Sequence, residues 1–342
     1  MHSGDQPMSA PGACILGVEG TRLTSEERAF LQTAQPFGFI LFARNIEAPD
    51  QVRALCDDLR DICGRSAPIL IDQEGGRVQR LRGPIWREWL PPLEQVMLAG
   101  EYAEEAMYAR YRIIAHELLD LGLDANCAPM VDLAGPTTHP FLKNRCYGKT
   151  PEQVGAVGRA VARGLSDGGV LPVVKHVPGH GRAMVDSHFD LPVVALEETK
   201  LRDLDFAPFK ALSDLPMAMT GHIVFSDLDA RPATLSPVVI DLIRNELEID
   251  ALLMTDDISM QALTGELGAL SAASIAAGCD VVLHCNGVLD EMRVVVEATG
   301  ALRGEALRRA EAVYAARQPA REVDIPSLEA KLAGLLRGTL HD

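Results

Sequence analysis

The 342-residue sequence contains no CxxC pair, no HxH or HExxH pair, no low-complexity tract and no short-period repeat. No apolar run approaches the roughly 18 residues that suggest a membrane span. The first twenty residues lack a basic region followed by an apolar stretch, so no secretion signal is expected and the reading is a cytoplasmic protein. Positive charge is also in short supply: 32 basic against 48 acidic residues leave a net charge of -16. Such a surface repels phosphate backbones and anionic bilayers, so neither nucleic acid nor a membrane is an expected partner. Seven cysteines, an odd number, suggest reduced thiols rather than a disulfide framework. Cys14, Cys127, Cys279 and Cys285 lie in or beside apolar runs, as small buried side chains do.

What is present is a regular alternation. Eight short apolar runs recur at Cys14–Val18, Gly38–Phe42, Pro68–Ile71, Asp124–Val131, Val170–Val174, Met217–Val224, Ala251–Met254 and Asp280–Leu283. Continuous apolar runs of this length read as parallel strands buried on both faces. Between them lie helical patterns at Pro49–Cys63, Glu101–Leu121, Pro151–Asp167, Glu197–Leu212, Pro237–Glu246, Met260–Ala277 and Leu289–Thr299. Thr24 with Glu27 forms a capping-box pattern before an amphipathic stretch at Glu26–Gln32. Gly304–Arg317 and Ile325–Leu336 add two amphipathic segments after the last run. Eight strands alternating with helices predict an α/β fold, a single (β/α)8 TIM-type barrel with extra C-terminal helices. The domain reading is one unit over 1–342, with a core at about 13–300 and C-terminal helices at 301–338. A doubly wound open sheet is the structural alternative.

Polar residues follow nearly every run. The third ends in Asp72-Gln73-Glu74-Gly75-Gly76-Arg77, the fourth in Asp132 and the fifth in Lys175-His176. The sixth carries Thr220 and His222, the seventh Asp256-Asp257, and the eighth His284 and Asn286. Charges at so many strand ends are costly to bury for stability alone, which favours convergence on one pocket. Asp186 and His188 are two residues apart after the Lys175-His176-Val177-Pro178-Gly179-His180-Gly181 turn, and a carboxylate there can orient an imidazole for proton transfer. Asp256 sits directly at a strand end, where it can act as nucleophile or metal ligand; Asp257 fits an N-cap for a helix beginning near Ser259. Asp72, Arg80, Arg145 and Lys175 suit a rigid polar clamp for sugar hydroxyls.

These residues resemble the bacterial β-N-acetylhexosaminidases of glycoside hydrolase family 3, the cytoplasmic peptidoglycan-recycling type. The matching segments are Leu41–Asn45, Ile71–Arg80, Asn144-Arg145, the turn from Lys175 to Gly181, Asp186–His188, Thr255–Met260 and Ala277–Asp280, in order from about 13 to 300. The resemblance implies a retaining, two-step hydrolysis through a covalent glycosyl-enzyme. It makes Asp256 the nucleophile, His188 the general acid/base and Asp186 its orienter. It assigns Asp72, Arg80, Arg145, Lys175 and His176 to the sugar at the non-reducing end, with no metal or other cofactor. The implied substrate is terminal β-GlcNAc on a small carbohydrate or muropeptide, GlcNAc-1,6-anhydroMurNAc with or without peptide, and the expected oligomeric state is a monomer.

Three departures stand out. Val177 replaces the usual Phe, Asn144-Arg145-Cys146-Tyr147 replaces a commoner Arg-Ser-Phe pattern, and Gly221 replaces an Ala before His222. Trp86 and Trp89 read as packing against the barrel rather than stacking on sugar. Competing readings are a metal-dependent barrel hydrolase using His176, His180, His188, His222 and Asp256, a broader β-glycosidase, a Schiff-base aldolase with Lys175 as nucleophile, and a non-catalytic sugar-binding barrel.

Overall fold

The computed structural model describes residues 10–136, 138–185 and 190–337. All eight apolar runs form parallel strands: β1 (Gly12–Gly17), β2 (Pro36–Leu41), β3 (Ile69–Ile71), β4 (Ala125–Asn126), β5 (Leu171–Val177), β6 (Met217–Thr220), β7 (Leu252–Asp257) and β8 (Val281–His284). They pair in sequence order and close through β1 against β8, so the sheet is a barrel and not an open doubly wound sheet.

The runs are apolar without interruption because both faces of each strand are covered. Ala13 and Ile15 of β1 point into the barrel with Ile40, Leu70, Val173, Met219, Met254 and Leu283. Their neighbours Cys14 and Leu16 point outward to the helices with Phe39, Ile71, Val174, Ala218, Leu253 and Val282. Burying these side chains stabilises each by about 1.5–3 kcal/mol. All seven cysteines are free and buried, and burial pushes the Cys14 thiol up to about 12.

β4 is shorter than its eight-residue apolar run. Pro129 has no N–H to add to the ladder, yet the chain stays alongside β5: Lys175 N donates to Pro129 O at 3.0 Å, and Val131 N to Lys175 O at 2.9 Å. Helices at Pro49–Cys63, Pro151–Asp167 and Leu289–Thr299 have the expected bounds, and Thr24 and Glu27 form the capping box. The segment Glu197–Leu212 is broken, with a π-turn at Leu201–Asp205 and a fresh helical turn at Ala207–Lys210 that carries Pro208. The stretch expected as a helix from Met260 starts only at Leu267, because Gly265 takes φ +143. A helix at Pro92–Ala99 was not anticipated.

The C-terminal segments have distinct positions. Ala310 and Val313 of Gly304–Ala315 belong to the cluster filling the barrel interior, with Leu307 and Tyr314 packed against it. The helix Ile325–Arg337 packs on Pro92–Ala99 and Ala103–Asp120. Among the described residues, no helix is long and apolar enough to cross a membrane.

Candidate active site

A cavity of about 350 Å³ opens at the C-terminal ends of the strands, and Asp72, Arg80, Arg145, Lys175, His176 and Asp256 all line it. Six of the eight residues singled out from the sequence thus converge. The other two, Asp186 and His188, lie outside the described residues.

The block after β3 explains its own composition. Gln73–Gly75 and Val78–Gln79 form a small hairpin whose turn places Gly75 and Gly76 at φ +109 and +57. A Cβ at Gly75 would collide with the Arg110 guanidinium, and one at Gly76 with Pro91. Gln73 Oε1 accepts from the N–H groups of Arg80 and Leu81 at 2.9 and 3.1 Å, which fixes where Arg80 leaves the backbone. The Asn126 side chain in turn exchanges two hydrogen bonds with the Gln73 backbone. Arg80 then reaches Asp72 Oδ2 at 3.0 Å.

Lys175, at the end of β5, joins two carboxylates: its Nζ lies 2.7 Å from Asp72 Oδ1 and 2.7 Å from Glu74 Oε1. Arg145 grips Glu74 with both prongs, Nε to Oε2 at 2.9 Å and a terminal nitrogen to Oε1 at 2.8 Å. Burial alone would raise the Asp72 and Glu74 carboxyls. Lys175 and Arg80 outweigh it at Asp72, and Arg145 and Lys175 at Glu74, so both are held below the usual range, Glu74 at about 2. Burial alone would lower Lys175, but Asp72 and Glu74 hold it above the usual lysine value, as an ammonium. That state opposes the aldolase reading, which needs a free amine.

His176 follows in the same strand. Its Nδ1 is 2.7 Å from Asp132 Oδ2, while Nε2 faces the Arg145 guanidinium at 3.5 Å. A guanidinium only donates, so these partners assign the Nδ1–H tautomer, with Nε2 as acceptor. Asp132 also accepts the His180 N–H at 2.5 Å, anchoring the turn that leads toward residue 186. Gly181 in that turn is required: a Cβ there would stand 2.2 Å from the Leu133 carbonyl oxygen. Burial, then the neighbouring His176, lowers His180 to about 4, so its ring stays neutral.

Asp256 is the penultimate residue of β7, and its Oδ1 accepts from the Asp257 N–H at 2.9 Å. Burial alone would raise its carboxyl; the surrounding His176 and His222, the Asp257 N–H and the Lys175 ammonium together outweigh that and hold it below the usual range. Asp257 does not cap a helix at Ser259. Its Oδ1 instead accepts from Ser259 N at 3.1 Å, Ser259 Oγ at 2.8 Å and Cys285 N at 3.2 Å, which ties the end of β7 to β8.

Glu74 and Asp132 act in this network although neither was assigned a role from the sequence; their signals were position in the Asp72–Arg80 block and at the fourth strand end. Phe141 was missed altogether. It lines the cavity, with the Arg77 guanidinium 3.8 Å above its ring. Trp86 and Trp89 pack against the outer core, as expected, and are not among the cavity-lining residues. At Gly221 a Cβ would sit 3.0 Å from His180 Cδ2, so the missing methyl leaves room for that ring. Among the described residues, no three His, Cys, Asp or Glu side chains come together as metal ligands.

The arrangement is a cavity lined by members of a charged clamp and by a further carboxylate, Asp256, that makes no salt bridge among the described residues. Residues 9–313 match the profile of the glycosyl hydrolase family 3 N-terminal domain. The chain belongs to glycosyl hydrolase family 3. A β-hexosaminidase of Alkalilimnicola ehrlichii is 38% identical over 288 residues, 80% of this chain and 81% of that protein. A Pseudomonas aeruginosa β-hexosaminidase is 36% identical over 279 residues, covering 80% and 82%. Among solved structures, NagZ from Neisseria gonorrhoeae, in complex with N-trifluoroacetyl-D-glucosamine, superposes with a TM-score of 0.83 and 28% identity, covering 97% of this chain and 99% of that one. The enzyme class expected from the sequence, a glycoside hydrolase of the β-N-acetylhexosaminidase type, is thereby borne out.

Proposed function

We propose that this family 3 hydrolase is a retaining β-N-acetylglucosaminidase that releases non-reducing terminal GlcNAc from peptidoglycan fragments, GlcNAc-1,6-anhydroMurNAc with or without its peptide. The observation that carries the reading is Asp256, ionised and facing the same cavity as the Asp72–Arg80–Lys175–Glu74–Arg145 clamp. The clamp offers fixed donors and acceptors to hydroxyls of one terminal sugar, with Nε2 of His176 as an additional acceptor. A clamp that fixes one terminal sugar beside a carboxylate suits attack on its anomeric carbon.

In the first step an Asp256 oxygen attacks the anomeric carbon, while His188 gives its proton to the departing glycosidic oxygen. A glycosyl ester forms and the aglycone leaves. In the second step His188 takes a proton from water, which attacks the same carbon and releases Asp256 as carboxylate. Asp186 keeps the imidazole oriented and stabilises its charged form. Retaining glycosidases commonly use a second carboxyl as acid/base; here a histidine on the segment after β5 takes that part, joined through the backbone to Lys175 and His176. The whole chain would serve as one catalytic unit, a monomer working in the cytoplasm in cell-wall recycling.

Support for the sugar comes from the Neisseria gonorrhoeae relative, whose ligand is an N-acylated glucosamine. The test is hydrolysis of 4-nitrophenyl β-GlcNAc against 4-nitrophenyl β-glucoside. Higher kcat/KM for the N-acetyl sugar, by about 100-fold or more, is expected of a site that hydrogen-bonds the acetamido group. A preference for the glucoside overturns the substrate assignment in favour of a broader β-glycosidase.

A further inference from the structure

Behind Asp256 lies a buried polar group that the two-step scheme does not use. His222 follows β6 with no exposed surface. Its Nε2 is 2.9 Å from the backbone carbonyl oxygen of Asp257, and its Nδ1 is 2.8 Å from Thr234 Oγ1. A carbonyl can only accept, so Nε2 carries a hydrogen and donates. Thr234 Oγ1 lies 2.9 Å from Thr220 Oγ1. Thr234 Oγ1 also lies 3.3 Å from the Gly221 carbonyl oxygen, so its one hydrogen is shared between that carbonyl and Nδ1, while Nε2–H donates to the Asp257 carbonyl.

Residue 257 is therefore held from three sides. Its N–H donates to Asp256 Oδ1, its carbonyl accepts from His222 and from the Met260 N–H at 3.1 Å, and its carboxylate is tied to Ser259 and Cys285 on the way out of β8. Among the described residues, Asp256 has no other hydrogen-bond donor. Its orientation depends on where the backbone of residue 257 is pinned. We propose that His222 is a positioning residue for the nucleophile, fixing the Asp256 carboxylate through its Nε2–H bond to the Asp257 carbonyl, with Thr234 and Thr220 setting the ring's tautomer and angle. The inference rests on the reading of Asp256 as nucleophile. Its physical scale follows from near-attack geometry, in which a displacement of about 1 Å costs about 100-fold in rate.

The experiment is steady-state kinetics of the full chain on 4-nitrophenyl β-GlcNAc for His222→Gln and His222→Asn, with thermal midpoints measured in parallel. A glutamine amide nitrogen reaches about as far as Nε2, whereas an asparagine side chain ends about where Nδ1 does. His222→Asn is expected to lose kcat by about 10–100-fold with KM within about twofold, because the glycone clamp is untouched. His222→Gln is expected to stay within about fivefold of the parent, since it restores the bond to Asp257. Equal losses in the two variants, or a lowered midpoint with kcat intact in both, overturn the proposal. If the Asn variant does not fold, Thr234→Val is read in its place: lower kcat at unchanged KM supports the proposal and an unchanged kcat overturns it. An Asp256→Ala variant that keeps turnover removes the nucleophile reading itself. An inactive Asp256→Ala beside a fully active His222→Asn removes this inference alone.

Discussion

Asp256→Ala is expected to lower kcat by on the order of 10,000-fold or more while leaving the fold intact. The first half follows from chemistry. Among the described residues no other carboxylate lining the cavity is free to attack: Asp72 is engaged by Lys175 and Arg80, and Asp257 accepts three hydrogen bonds that tie β7 to β8. The second half follows from connectivity. Among the described residues Asp256 accepts one hydrogen bond, from its neighbour's N–H, and the nearby Lys175 keeps its ion pairs with Asp72 and Glu74, so truncation breaks no salt bridge. The measurement is kcat on 4-nitrophenyl β-GlcNAc together with the thermal midpoint. His188→Ala makes a useful contrast, because nitrophenolate needs little protonation to depart; its loss is expected to be smaller with this leaving group than with the disaccharide. Residual turnover in Asp256→Ala within tenfold of the parent would contradict the assignment.

Glu74→Ala is expected to act in the opposite way, through stability first. The carboxylate is buried between Arg145 and Lys175, and its loss leaves Arg145 without a salt-bridge partner and Lys175 with Asp72 alone. Removing one member of a buried ion pair costs about 3–5 kcal/mol, far above the effect of an exposed pair. Urea unfolding would show this as a lower midpoint, and kcat/KM should fall with it because Arg145 is no longer aimed at the sugar. The acid side of the stability curve provides a separate signature. The Glu74 carboxyl titrates lower in the fold, at about 2, than its unfolded value of about 4.3. Its contribution is therefore complete above about pH 4.3 and is lost as the pH falls through about 2. A Glu74→Gln variant should show a flatter loss of stability across that window than the parent. If Glu74→Ala unfolds at the parent's urea concentration, Glu74, Arg145 and Lys175 do not form a mutually dependent network.

Much of the barrel was legible because its signals are local. Continuous apolar runs marked all eight strands, and helical spacing marked the helices at Pro49–Cys63 and Pro151–Asp167. The errors are equally physical. The segment after Met260 is rich in helix formers, yet Gly265 at positive φ delays the helix to Leu267. Pro92–Ala99 is short and mostly apolar, so its composition carried no helical period to read.

The site divides along the same line. Strand-end placement revealed Asp72, Lys175, His176 and Asp256 one by one. Glu74 stayed hidden because its meaning lies in Arg145, 71 residues away, and in Lys175 on the far side of β4. Asp257 looked like a helix cap in one dimension; in three it is the joint between β7, β8 and His222. Local pattern identifies which residues stand at the mouth of the barrel, and tertiary pairing decides what each of them holds.

The central claim, attack by Asp256 on the anomeric carbon followed by attack of water on the ester, makes two inversions at one centre. Proton NMR of the first-formed sugar during hydrolysis of 4-nitrophenyl β-GlcNAc reads that directly, before mutarotation scrambles the product. The β-anomer of GlcNAc appearing first is the expected result; the α-anomer appearing first would contradict a covalent intermediate on Asp256.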